Sequence, residues 1–200
     1  MDFGSAAHGD YFSITDSYDP LSNRRAFYDA SYVLPPAMLE SYVEKWPTPR
    51  IENFRYMLRS GMLGWFSLML DSSLWTPQQR AEARAQFALY KTVLRPLIRA
   101  ADLYHVAERP DGVHWDGIEY YSGKLRRGVL YAFRGSLPDQ PTHRFRLRGL
   151  DPIGRYQVRF HDQGKAADRL LTGQSLMHEG VEVALPWPQS SELVLFEQVR

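Results

Sequence analysis

The 200-residue sequence predicts an α+β protein, a mostly helical first half followed by an antiparallel β-sandwich. Three observations predict it. Capping and proline signals at Asp19–Pro20 and Thr76–Gln79 open segments whose apolar residues recur three and four apart. From Leu103 the apolar period becomes two, the mark of strands with one packed face and one wet face. Turn signals such as "PDG", "YSGKL", "LDPIG" and "HDQGK" then punctuate the chain at short intervals. The change of period places the boundary near residue 102 and gives two domains, 1–102 and 103–200.

In the first half, "DPLSNRRAFYDASYV" starts a helix with Asp19 at the N-cap and Pro20 at the first helical position, where a missing N–H costs nothing. The "LPP" at 34–36 ends it, because a residue before proline is pushed out of the α region. A second helix is expected across 51–70, loosened by Gly61 and Gly64, with "GMLGWFSLML" at 61–70 as its buried end. In the third, "TPQQ" at 76–79 forms a capping box, and Phe87, Tyr90, Val93, Leu94, Leu97 and Ile98 make the core-facing stripe. Pro96 lies inside that stripe and should kink or end the helix near Arg95.

The second half alternates. Phe145 and Leu147 interleave with Arg144, Arg146 and Arg148, while Tyr156, Val158 and Phe160 interleave with Arg155, Gln157 and Arg159. "GVLYAFRG" and "SELVLFEQV" are more continuously apolar and read as central strands. "HWDGIEYY" supplies Trp115, Tyr120 and Tyr121, read as sandwich core rather than as a sugar platform. Trp187, set between prolines, is expected at the surface as a ligand or subunit contact.

The 24 Lys and Arg nearly balance the 23 Asp and Glu, so no broad field attracts nucleic acid or anionic lipid. The basic "KLRRG" at 124–128 reads as a solvated hairpin. The absence of cysteine excludes disulfide and thiolate chemistry. The six histidines are scattered without ligand spacing, so no metal site is expected. The most apolar run, at 61–70, is half a membrane span. "MDFGSAAHGD" has neither a basic nor an apolar leader region, which makes a cytoplasmic protein the expectation.

Chemistry is concentrated in "SITDSYDP" at 13–20. Local sequence alone gives Asp16 an Asx turn near Tyr18 and gives Asp19 the N-cap. The order of the larger pieces adds another reading. "DFG" at 2–4, "ITDSYDP" at 14–20, "YDASYVLPP" at 28–36, "LYKTVLRPLIRAADLYHV" at 89–106, "RLRGLDPIGRYQV" at 146–158 and "LTGQSLMHEGVEVAL" at 171–185 resemble, in that order, the carboxyl-terminal part of the retaining α-galactosidases of glycoside hydrolase family 36.

The resemblance implies the terminal α/β elements of an incomplete (β/α)8 barrel followed by the sandwich. It implies a glycosidase acting on α-galactosides or related oligosaccharides with retention, and no cofactor. It carries the general acid/base onto Asp16, the motif's second aspartate onto Asp19, and a sugar-flanking position onto Tyr18. The family's nucleophile lies on an earlier barrel strand, so these residues alone are expected to be inactive. Helix stripes meant for absent strands imply exposed apolar surface and association into a homo-oligomer. The alternative is a non-catalytic carbohydrate-binding or subunit-contact module.

Overall fold

The structure is a computed structural model and describes residues 9–17, 19–44 and 46–199. The "DFG" at 2–4 and Tyr18 lie outside the described residues. The chain divides into two compact units, Met1–Arg99 and Ala100–Arg200.

The first unit alternates short strands with helices. Strand β1 (Phe12–Ser13) leads to helix α1 (Pro20–Ala30), β2 (Leu39–Val43) to α2 (Ile51–Gly61), and β3 (Trp65–Leu68) to α3 (Pro77–Leu89). The strands form one parallel sheet in the order β1-β2-β3, with Ser13 opposite Glu40 and Tyr42 opposite Ser67. The first half is therefore less helical than its periodicity predicts. The helix expected over 51–70 stops at Gly61, and the apolar run beyond it supplies β3, in which Trp65 and Leu68 are exposed.

The reason is packing. On β2, Leu39, Ser41 and Val43 are buried. A Cβ at Gly61 would lie 2.8 Å from Val43 Cγ1 and 3.1 Å from the Phe66 ring, so the absent side chain lets α2 close against β2 and β3. Helix α1 is capped by Asp19, whose Oδ1 accepts from Ser22 N at 2.9 Å. Helix α3 carries the full capping box: Thr76 Oγ1 accepts from Gln79 N at 3.2 Å, and Gln79 Oε1 accepts from Thr76 N at 3.0 Å. Pro96 does not end this helix at Arg95. A π turn over Tyr90–Leu94 precedes it, and α4 (Arg95–Ile98) continues, a local widening that absorbs the missing donor.

The second unit holds β4 (Asp102–His105), β5 (Asp116–Ser122), β6 (Arg127–Arg134), β7 (Thr142–Phe145), β8 (Arg155–Phe160), β9 (Arg169–Thr172), a short helix α5 (Gly173–His178), β10 (Val181–Ala184) and β11 (Ser190–Val199). Six strands form an antiparallel sheet in the order β4-β5-β6-β11-β8-β9; β7 and β10 pair as a separate antiparallel ribbon. The continuously apolar segments are central, as their sequence predicts. The alternation also holds: Phe145, Leu147, Tyr156, Val158 and Phe160 are buried, while Arg144, Arg146, Arg148, Arg155 and Arg159 are exposed.

Leu130, Phe145, Leu176, Val183, Val194 and Phe196 anchor the core of this unit, each adding about 1.5–3 kcal/mol by leaving water. Trp115, Tyr120 and Tyr121 are buried, as core aromatics should be. The Tyr121 and Tyr156 hydroxyls meet at 2.9 Å, and Tyr156 Oη accepts from Asp151 N at 3.0 Å. Glu119 on β5 is fully buried: its Oε2 accepts from Arg148 N at 2.7 Å, while Oε1 has no partner among the described residues. Burial pushes its carboxyl up to about 8, against the opposing pull of the Arg148 N–H and charge.

Candidate active site

In parallel α/β sheets the chain leaves the carboxyl ends of neighbouring strands on the same side, and ligands bind there. In the first unit those exits follow Ser13, Val43 and Leu68. Asp16 lies three residues beyond β1, and Glu44 directly follows β2.

Asp16 is exposed. The Asx turn that local sequence assigns to it would be closed at Tyr18, which lies outside the described residues. Among the described residues, Thr15 Oγ1 accepts from Ser17 N at 3.0 Å. Asp19 uses Oδ1 as the helix cap, and its carbonyl accepts from Asn23 N and Asn23 Nδ2, both at 3.2 Å. The buried Asn23 also donates to Ser17 O at 3.1 Å, fixing the loop that carries Asp16 onto the start of α1.

Three residues near Asp16 escaped the sequence reading. Successive strand residues face opposite ways, so Glu40 and Tyr42 point away from the face of β2 that carries Leu39, Ser41 and Val43. Ser67 Oγ donates to Glu40 Oε1 at 2.6 Å across the parallel pair. Tyr42 is nearly enclosed, and its hydroxyl is raised above the ordinary tyrosine value, by burial first and then by the carboxylates of Glu44, Asp16 and Glu40. Three acidic groups thus face one phenol that stays a neutral O–H donor. The signal was present in "LESYVE", where Glu40, Tyr42 and Glu44 alternate with Leu39, Ser41 and Val43. On the same sheet, Tyr11 stacks on Trp65 with centroids 5.4 Å apart, and both rings are partly open to solvent.

Such a surface combines acceptors, a neutral donor and aromatic faces, the groups that hold a polyhydroxylated ligand. A carboxylic acid at its rim can transfer a proton to or from that ligand. Among the described residues, no group of three or more His, Cys, Asp or Glu could hold a metal ion, and no helix is long and apolar enough to cross a membrane.

Residues 115–196 match the model of the glycosyl hydrolase family 36 C-terminal domain. No curated protein matches the chain. Among solved structures, the galactosidase domain of the α-galactosidase–sucrose kinase AgaSK is similar over 92% of this chain and 25% of its own, with a TM-score of 0.79 and 22% identity. The family 36 α-galactosidase AgaB of Geobacillus stearothermophilus is similar over 93% of this chain and 25% of its own, with a TM-score of 0.75 and 24% identity. A variant of AgaA from the same organism, solved in complex with raffinose, is similar over 92% and 25%, with a TM-score of 0.72 and 21% identity; another AgaA complex holds stachyose. The chain spans about a quarter of the length of these structures. At such identities the likeness establishes the shared fold, and it extends beyond the segment that the family model matches.

Proposed function

We propose, of a chain whose residues 115–196 form a glycosyl hydrolase family 36 C-terminal domain, that it is the carboxyl-terminal part of a retaining α-galactosidase and that Asp16 is the general acid/base of the complete enzyme. The three β/α pairs of the first unit are then the last units of a (β/α)8 barrel. The observation that carries the reading is the position of Asp16, exposed just past the carboxyl end of a parallel strand.

A retaining glycosidase needs two carboxyl groups about 5–5.5 Å apart, one attacking the anomeric carbon while the other protonates the departing oxygen. Asp16 supplies the second group. In the first step it gives its proton to the glycosidic oxygen; in the next it takes one from the water that attacks the glycosyl-enzyme. The nucleophile belongs to an earlier barrel strand, so the 200 residues turn over nothing by themselves. Asp19 and Tyr18 border the galactose, with the Asp19 Oδ2 available to a hydroxyl while Oδ1 holds the helix cap. The substrate class is an α-galactosyl oligosaccharide of the raffinose type, the ligand held by the AgaA variant.

The test replaces the matched quarter of AgaB with these residues and assays raffinose hydrolysis. The hybrid should be active, and Asp16→Ala should lower its turnover by about 10²–10⁴-fold. Unchanged turnover in that variant would remove Asp16 from the role.

A further inference from the structure

The second unit holds a recess of about 340 Å³, lined from β9 and β10, each of which lies at the edge of its sheet. That volume falls in the range of small-molecule sites. Its charged residues are Arg144, Arg169, Glu179 and Glu182, two cations against two anions. No single sign dominates, which disfavours an ionic ligand. Arg144 Nη2 bonds Glu182 Oε2 at 3.0 Å, and Arg169 Nη1 donates to the Ala166 and Asp168 carbonyls at 3.2 and 3.0 Å. These bonds orient both guanidinium forks and leave further N–H groups for a ligand. Phe160, Leu171 and Val181 give the recess an apolar side.

Fixed donors beside fixed acceptors suit adjacent hydroxyls, and an apolar side suits the C–H face of a pyranose. An extended peptide adding to β10 would need the free edge groups of that strand. One of them, the Ala184 carbonyl, already accepts from Gln163 Nε2 at 3.3 Å, and both edge strands are only four residues long.

We infer that this recess binds a neutral oligosaccharide, held by Arg169 and Glu179 against the Leu171 side. It is a sugar site on the sandwich itself, separate in sequence and in unit from the strand ends that carry Asp16. Anchoring of a saccharide there needs no nucleophile and no bond making.

The experiment titrates raffinose into the 200-residue chain by calorimetry and by amide NMR, with cellobiose and an extended acidic peptide in parallel. Saturable raffinose or cellobiose binding is expected, with shifts centred on Leu171 and Val181. Arg169→Ala and Glu179→Gln should each weaken it roughly tenfold, the effect of one charge-assisted hydrogen bond, at an unchanged melting temperature. In Asp16→Asn the shifts at Leu171 and Val181 should persist, so a failed acid/base assignment and a failed recess remain distinguishable. Absence of saturable binding to either sugar would overturn the inference, as would binding of the peptide alone. Loss of the Leu171 and Val181 shifts in Asp16→Asn, or full affinity in both recess variants, would also overturn it. Should Arg169→Ala not fold, Glu179→Gln, an isosteric change at an exposed position, and the shift map decide the matter.

Discussion

Both units build on a sheet, but they cover it differently. In Ala100–Arg200 the six-stranded sheet and the β7–β10 ribbon share one core, so Phe145 and Val183 of the ribbon bury against Leu130, Val194 and Phe196 of the sheet. In Met1–Arg99 the helices lie over the face of β2 that carries Leu39 and Val43. Its other side displays Tyr11 and Trp65, 52% and 41% exposed, together with Glu40 and the nearly enclosed Tyr42. A closed core shows what a unit needs for its own stability. A sheet that spends one face on charge, phenol and open indole shows where stability has been given up for something else, and that is the side to which the acidic groups belong.

Removal of one aromatic side chain from each unit should expose the contrast most strongly. Phe196→Ala empties a 2%-exposed position in the sandwich core and should cost about 3–5 kcal/mol by urea denaturation. Trp65→Ala in the open sheet should cost less than about 1 kcal/mol, as surface changes do. Similar losses at both sites would mean that the face bearing Trp65 is packed as tightly as the sandwich.

Next comes pH. Glu119 titrates near 4.5 when unfolded and is raised by burial to about 8 in the fold. Between those values the folded chain keeps a proton that the unfolded chain has released. The stabilising contribution is therefore complete below about 4.5 and is lost as pH rises toward 8, at up to ~1.4 kcal/mol per pH unit. In Glu119→Gln this part of the pH dependence should vanish, and the difference between the two denaturation profiles should grow with pH across the window. Parallel profiles would show that the buried carboxyl is ionised in the fold.

A smaller effect belongs to the loop that holds Asp16. Asp19→Ala removes the α1 cap and should destabilise the first unit by about 1 kcal/mol, read as a lower urea midpoint at constant slope. No change would show that the Asp19 side chain contributes nothing to the helix.

Local chemistry was legible in the sequence and long-range pairing was not. The Asp19–Pro20 cap, the Thr76–Gln79 box and the alternation through Tyr156, Val158 and Phe160 each depend on neighbours a few residues apart. The parallel strands do not. β1 has two residues, and β2 carries a buried Ser41 where an apolar residue would have announced a strand. β3 lies in an apolar run that its length and leucines assign equally well to a helix. Only pairing across intervening helices turns these segments into a sheet. Asp16 was singled out by motif order, whereas Glu40, Tyr42 and Glu44 stayed hidden with the strand that orients them.

The role of the open side is tested most directly in the AgaB hybrid, by supplying azide to its Asp16→Ala variant with a nitrophenyl α-galactoside. The activated leaving group departs without an acid, and azide needs no base to attack the glycosyl-enzyme. Restored turnover and an azide product of retained α configuration are expected. A variant that azide does not rescue, or a β-configured product, would remove Asp16 from the acid/base role.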